Sequence, residues 1–279
     1  MLSEKLQLMK KLLPVLIVLL NCCQKYETDI SNIHDATKVI GHGGMGIAHT
    51  YPMNTYPSVR RALTLGADGV ELDVQMTRDG VFVAYHDYEL SDRSTASGQI
   101  FAQNWDDIKG ATYLNPIYTA YPVMRLDSLI SRLPGREDVI FFLDCKNFNP
   151  DTTDYFLDKF AGALLNFLNS YLPAKNTYVE LKRTDLILRL QSKRDDVMIF
   201  YYGENFNDAI KTAIEYELAG ITLAIHLISE DQVKQAHSEG LMVSVVNVHT
   251  RSRNRKAVRM NVDFIQTDML RFLMSFLGR

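Results

Sequence analysis

The strongest constraint on this chain is a repeated alternation of short apolar runs with longer amphipathic ones, from residue 37 to residue 268. The apolar runs are TKVIGH (37–42), DGVELDV (68–74), VFVAYH (81–86), VIFFLD (139–144), TYVEL (177–181), VMIFYY (197–202), GITLAI (220–225), LMVSVVNV (241–248) and FIQTD (264–268). Most show little internal polar alternation, so they read as strands buried on both faces, which suits a parallel sheet. Helical periodicity is expected over 54–66, where Val59, Ala62, Leu63 and Leu65 make one face and Gly66 stops the helix. Further helices are expected over 125–133, 151–171, 206–218, 229–239 and 252–260. This many β–α units predict an α/β fold of one domain, a (β/α)₈ TIM barrel of about 250 residues, with a doubly wound open sheet as the alternative. The barrel is expected over residues 37–279. Residues 88–122 hold Trp105, two glycines, two prolines and, counted from Tyr85 to Tyr121, five tyrosines, and read as a long excursion over one end of the fold.

The first 23 residues differ from the rest. Lys5, Lys10 and Lys11 precede the apolar run LLPVLIVLL, and NCC follows. A basic stretch, an apolar stretch and a small-residue exit make a signal-peptide layout. The apolar run is well short of the roughly 20 residues a membrane-spanning helix needs. Leu19 or Leu20 before Cys22 or Cys23 resembles a bacterial lipoprotein signal, in which one cysteine is lipidated. The expectation is an exported periplasmic or cell-surface lipoprotein anchored to a membrane by that lipid. An ordinary cleaved signal or a buried helix is the alternative.

With 33 acidic and 30 basic side chains the net charge is −3, and no long run of one sign occurs, so the chain has no footprint for nucleic acid. Cys145 is the only cysteine beyond the N-terminal pair, so no disulfide framework exists. In a barrel the chemistry sits where strands end and βα loops begin. Four such ends carry reactive residues: His42 after TKVIG, Glu71 and Asp73 within VELDV, His86 and Asp87 after VFVAY, and Asp144 and Lys146 after VIFFL. Glu71 and Asp73 stand two apart and so share one face of a strand. Two carboxylates in an apolar strand are costly unless paired or bound to a cation, and oxygen donors favour Mg²⁺ or Ca²⁺. Asp144 can be the third ligand. Salt bridges to Arg60, Arg61 or Lys146 are the alternative for any one of these acids. Two histidines at one mouth suggest an acid and a base, because imidazole titrates near neutrality. The glycines of GHGGMG (41–46) allow the backbone close approach to a ligand.

These residues resemble the glycerophosphodiester phosphodiesterases, metal-dependent (β/α)₈-barrel hydrolases and distant kin of the sphingomyelinase D and phospholipase D toxins. The stretches that carry the resemblance are HGG (42–44), MNT (53–55), GADGVELDVQMTRDGVFVAYHD (66–87), LSDRSTASG (90–98), PVMRLDSLI (122–130), FFLDCK (141–146), SVVNV (244–248) and VDFIQTDM (262–269). The resemblance implies Glu71, Asp73 and Asp144 as ligands of a divalent cation and His42 and His86 as general base and acid. It implies Lys146, Asn54 and Asn247 around the substrate, and Asp87 as the partner that orients His86.

Several positions depart from the family pattern. Gly43 stands where the family has an arginine, which would clamp phosphate with two hydrogen bonds. Lys146, Lys182, Arg93 or the metal could compensate. Met53 replaces a glutamate, Asp144 is one methylene shorter than the family glutamate, and Ser244 stands in place of a tryptophan. The expected function is metal-dependent hydrolysis of glycerophosphodiesters to glycerol 3-phosphate and an alcohol. A phospholipase D-like lipid phosphodiesterase and a non-catalytic binding lipoprotein are the alternatives.

Overall fold

A computed structural model describes residues 37–47, 51–114, 121–172 and 174–279. The proposed signal and its cysteines lie outside these residues. Eight parallel strands form a closed barrel: β1 (Lys38–Gly41), β2 (Gly69–Met76), β3 (Ile140–Cys145), β4 (Thr177–Leu181), β5 (Met198–Tyr202), β6 (Gly220–Ala224), β7 (Met242–Val248) and β8 (Phe264–Thr267). Each pairs with the next in chain order, and β8 returns to β1, with Gly41 opposite Thr267. A helix follows every strand: α1 (Tyr56–Thr64), α2 (Leu126–Ser131), α3 (Asp154–Tyr171), α4 (Thr184–Lys193), α5 (Phe206–Glu215), α6 (Glu230–Ser238), α7 (Arg251–Arg259) and α8 (Leu270–Phe276). The expected (β/α)₈ barrel is the fold observed.

The outer faces of the strands and the inner faces of the helices make one continuous apolar layer; α3 alone contributes Phe156, Leu157, Phe160, Ala161, Leu164, Phe167 and Leu168. The lumen has its own filling. Phe142, Tyr178, Phe200 and Phe264 pack ring against ring at its N-terminal end, with centroids 4.8 Å apart for Phe142 against both Tyr178 and Phe264. Above this aromatic layer lies a buried polar one. Glu180 Oε1 accepts hydrogen bonds from the Thr222 hydroxyl and from Gln266 Nε2, and Gln266 also donates to Ser244 Oγ at 3.0 Å. Ser244 thus joins a hydrogen-bonded floor beneath the mouth.

Three elements differ from the sequence expectation. The run VFVAYH supplies no barrel strand. Phe82–Ala84 runs antiparallel to the overhanging end of β2, with Met76 opposite Phe82 and Val74 opposite Ala84. An apolar run of this length has the same appearance in a barrel strand and in a hairpin arm; the RDG turn before it decides for the hairpin. Helix α4 goes beyond the helical runs expected, because DLILRL satisfies both periods; Leu186, Ile187 and Leu190 are its buried face. Helix α8 has only seven residues, too few for a periodic signal, and buries Leu270, Leu273 and Met274. The excursion also proves more organised than a bare loop. Val83, Tyr85, Leu90, Ile100, Ile108, Ala111, Tyr113 and Val123 form a satellite core.

Candidate active site

Strands β2 and β3 bring the acids together through their register. Asp73 lies opposite Asp144 across the ladder, and Glu71 is two residues back on the same face. Carboxylate oxygens of Glu71, Asp73 and Asp144 lie within 4.8 Å of one another, and all three residues are buried. Lys146 is the cation of this group, with Nζ 3.1 Å from Asp73 Oδ1 and 2.5 Å from Asp144 Oδ2. Arg60 and Arg61, the other candidates for pairing, take no part among the described ion pairs. One ammonium cannot balance three buried carboxylates, and Glu71 Oε1 is buried without a hydrogen-bond partner among the described residues. Burial and the neighbouring Asp73 push the Glu71 carboxyl well above its usual range. Burial would also raise Asp73, but Lys146 and the two histidines outweigh it and hold Asp73 low. An all-oxygen donor set with an orphaned buried oxygen fits a hard divalent cation.

His42 enters at the end of β1. Its Nδ1 lies 2.7 Å from Asp268 Oδ1, and its Nε2 lies 3.9 Å from Glu71 Oε2. Burial pulls the imidazole pKa down, but the Asp268 hydrogen bond and then the Glu71 charge outweigh that and lift it to about 9. Asp268 carries no role in the sequence reading. Its position, at the end of the last strand within VDFIQTDM, is the signal that could have marked it. The backbone N–H of Gly43 donates to Glu71 Oε2 at 2.9 Å, so the glycine turn touches the carboxylate directly.

His86 arrives by a different route from the one expected. It follows the antiparallel arm, not a barrel strand, and the Tyr85 N–H donates to the Asp73 carbonyl at 3.1 Å. The overhang of β2 and the returning arm therefore deliver His86 beside Asp73. His86 Nδ1 meets Asp87 Oδ1 at 2.9 Å, and Asp87 Oδ2 pairs with Arg93 Nε at 2.8 Å. Gln75 Nε2 donates to the carbonyls of Tyr85 and Asp87, which fixes the turn. The Tyr85 hydroxyl donates to the Leu90 carbonyl and the Tyr113 hydroxyl to the Ala84 carbonyl, so the tyrosine-rich excursion clamps the His86 segment.

Asn54 does not stand free for a substrate. Its Nδ2 donates to Asp73 Oδ2 at 2.7 Å and its Oδ1 accepts from the Asp73 N–H at 3.0 Å. It buttresses a carboxylate, and it does so in a left-handed conformation (φ 63°) that asparagine tolerates. Asn247 is also left-handed (φ 60°), is exposed at the end of β7, and accepts at its carbonyl from Arg253. Of the residues that could replace the family arginine, Lys146 is within the acid cluster. Arg93 is spent on Asp87, and Lys182 lies over the Tyr202 ring, with its Nζ 4.5 Å from the centroid. The space at Gly43 is taken: a Cβ there would lie 2.5 Å from the Met53 side chain, at a φ of +52°. The two departures, Gly43 and Met53, are thus one packing unit.

Residues 45–271 match the sequence model of the glycerophosphoryl diester phosphodiesterase family. A glycerophosphodiester phosphodiesterase of Bacillus altitudinis is 29% identical over 114 residues, covering 40% of this chain and 46% of the relative. One of Caldanaerobacter subterraneus subsp. tengcongensis is 46% identical over 69 residues, covering 25% of this chain and 27% of the relative. The matched stretch therefore spans less than half the length of these relatives. Among solved structures, a glycerophosphodiester phosphodiesterase of Parabacteroides distasonis superposes with a TM-score of 0.74 at 21% identity, covering 87% of this chain and 97% of the other. An Oleispira antarctica phosphodiesterase, solved in complex with the product sn-glycerol-3-phosphate, gives 0.75 at 17%, covering 88% and 98%. These likenesses support the barrel fold.

Proposed function

The chain belongs to the glycerophosphoryl diester phosphodiesterase family, and from that premise we propose that it hydrolyses glycerophosphodiesters, releasing glycerol 3-phosphate and an alcohol. The observation that carries the reading is a pair of His–Asp dyads, His42–Asp268 and His86–Asp87, beside one cluster of three buried carboxylates. A pure binding protein has no use for two oriented imidazoles.

Each aspartate engages Nδ1 of its histidine, which places a proton there and leaves Nε2 as the exchanging atom. His42 is the base: its Nε2 takes the proton from a glycerol hydroxyl, whose oxygen then bonds to phosphorus. His86 is the acid: its Nε2 gives a proton to the departing alkoxide as the P–O bond breaks. The product of this step is a cyclic phosphate with His42 protonated and His86 neutral. Water opens the ring with the roles exchanged, His86 taking the water proton and His42 returning its own to the ring oxygen, which restores both. Asp268 and Asp87 stabilise whichever imidazole is charged. Lys146 contributes positive charge beside the reacting phosphate. A divalent cation, Mg²⁺ or Ca²⁺, held by Glu71, Asp73 and Asp144, would neutralise charge on the phosphate oxygens.

The test is turnover of glycerophosphocholine and glycerophosphoethanolamine by the purified protein, with Mg²⁺ or Ca²⁺ and then with excess chelator. Release of glycerol 3-phosphate that stops with chelator is expected. No hydrolysis of any phosphodiester by metal-loaded protein would favour a binding lipoprotein on the same barrel. The basic and apolar N-terminus with Cys22 and Cys23 supports export and lipid attachment. Mass spectrometry of the cell-derived protein should find an acylated cysteine, and an intact Met1 without an acyl chain would refute this.

A further inference from the structure

Resting on the phosphodiesterase reading, we propose that the open cavity beside His42 is a subsite for the acyl arm of an acidic, monoacylated phosphodiester. The cavity measures ≈ 870 Å³, and Ile47, Met269, Phe272, Arg251, Arg271 and Asp268 are among its walls. That is within the roughly 300–1,000 Å³ of small-molecule sites. Asp268 belongs to both places, lining the cavity while its Oδ1 holds His42 Nδ1. The same oxygen accepts the backbone N–H of Ile47 at 3.1 Å, which fixes Ile47 next to the dyad. Its side chain is nonetheless 57% exposed, an apolar surface held open at the edge of a polar site. A glycerophosphodiester without an acyl chain offers nothing to cover it.

The charge at the rim selects the kind of amphiphile. Arg251, Arg255 and Arg271 are exposed, and among the described residues no carboxylate lies within ion-pair distance of any of them. Of the other thirteen described arginines, six pair with a carboxylate. The Arg251 and Arg255 guanidinium carbons lie 5.4 Å from the centroid of Phe272, over its ring. Apolar walls capped by unpaired guanidinium groups match a molecule with one hydrocarbon arm and a net negative head group.

Matched probes differing only in the acyl arm test the idea: glycerophosphoglycerol against lauroyl lysophosphatidylglycerol below its aggregation concentration, with lauroyl lysophosphatidylcholine as the zwitterionic control. The acidic acylated probe should show kcat/KM about tenfold or more above the other two. Ile47→Ser, at an exposed position that spares the fold, should collapse the acyl preference. Arg271→Glu should collapse the preference for the acidic head group. Equal kcat/KM for all probes in the parent protein, or preferences unmoved in both variants, would overturn the subsite. Equilibrium binding of the same probes to the His42→Ala protein separates the two claims. A retained acyl preference in binding, with no turnover of any probe by the parent protein, upholds the subsite while the phosphodiesterase reading fails. Indifferent binding removes the subsite alone.

Discussion

Gly43 and His42 show how much rests on single atoms at this mouth. Met53 fills the volume that a longer side chain at 43 would need, and residue 43 is left-handed. Gly43→Arg should therefore lower stability, by roughly 1–3 kcal/mol from overpacking alone. Combining it with Met53→Ala should recover part of the loss, as thermal denaturation would show. His42 yields a second prediction. In metal-free protein its imidazole titrates near 9, raised from 6.5, chiefly because the Asp268 and Glu71 contacts outweigh burial. A raised histidine stabilises the fold fully below its unfolded pKa, and that stability drains away as pH rises from about 6.5 to 9. Asp268→Asn should lower the pKa seen by NMR and flatten that pH dependence. A cation on Glu71 and Asp73 should lower it too, toward the range a base needs at neutral pH. The convergence of His42, Glu71 and Asp73 on one mouth could be read from residue type at strand ends. Asp268 was marked only by its place at the end of the last strand, and its pairing with His42 follows once β8 closes against β1; the buttressing by Asn54 left no mark, since it depends on how the loop after β1 folds onto β2.

At the scale of elements, the buried polar layer is the unusual feature. Glu180 is fully buried on β4, and burial raises its pKa to about 8 despite hydrogen bonds from Thr222 and Gln266. A carboxyl raised in this way costs stability as pH climbs from its unfolded value of 4.5 toward 8, because the unfolded chain then ionises first. Glu180→Gln keeps both accepted hydrogen bonds and removes the titration. It should raise stability by on the order of 1–4 kcal/mol at pH 8 and by little at pH 4.5, in denaturant titrations at the two pH values. The strands of the barrel were plain from their doubly buried runs. The antiparallel arm was less plain, since Phe82–Ala84 is as apolar as a barrel strand and only the RDG turn before it points to a hairpin with β2. That arm also explains the length of the excursion: Tyr85, Tyr113 and their satellite core hold His86 in position from outside the barrel.

For the whole molecule, a candidate metal site, two histidines and an apolar wall share one end of a closed barrel. Burial and the neighbouring Asp73 hold the Glu71 carboxyl above its usual range in the absence of metal, and a bound cation would favour its ionised form. Cation binding is then coupled to proton release from this carboxyl, and affinity should rise with pH. Calorimetry in buffers of different ionisation enthalpy would read the release directly. The most direct measurement of the central claim pairs this calorimetry with turnover of glycerophosphocholine in His42→Ala and His86→Ala. Each variant should bind the cation while losing about 10²–10⁴ in rate, the usual scale for a general acid or base. Full rates with either imidazole removed would contradict the account.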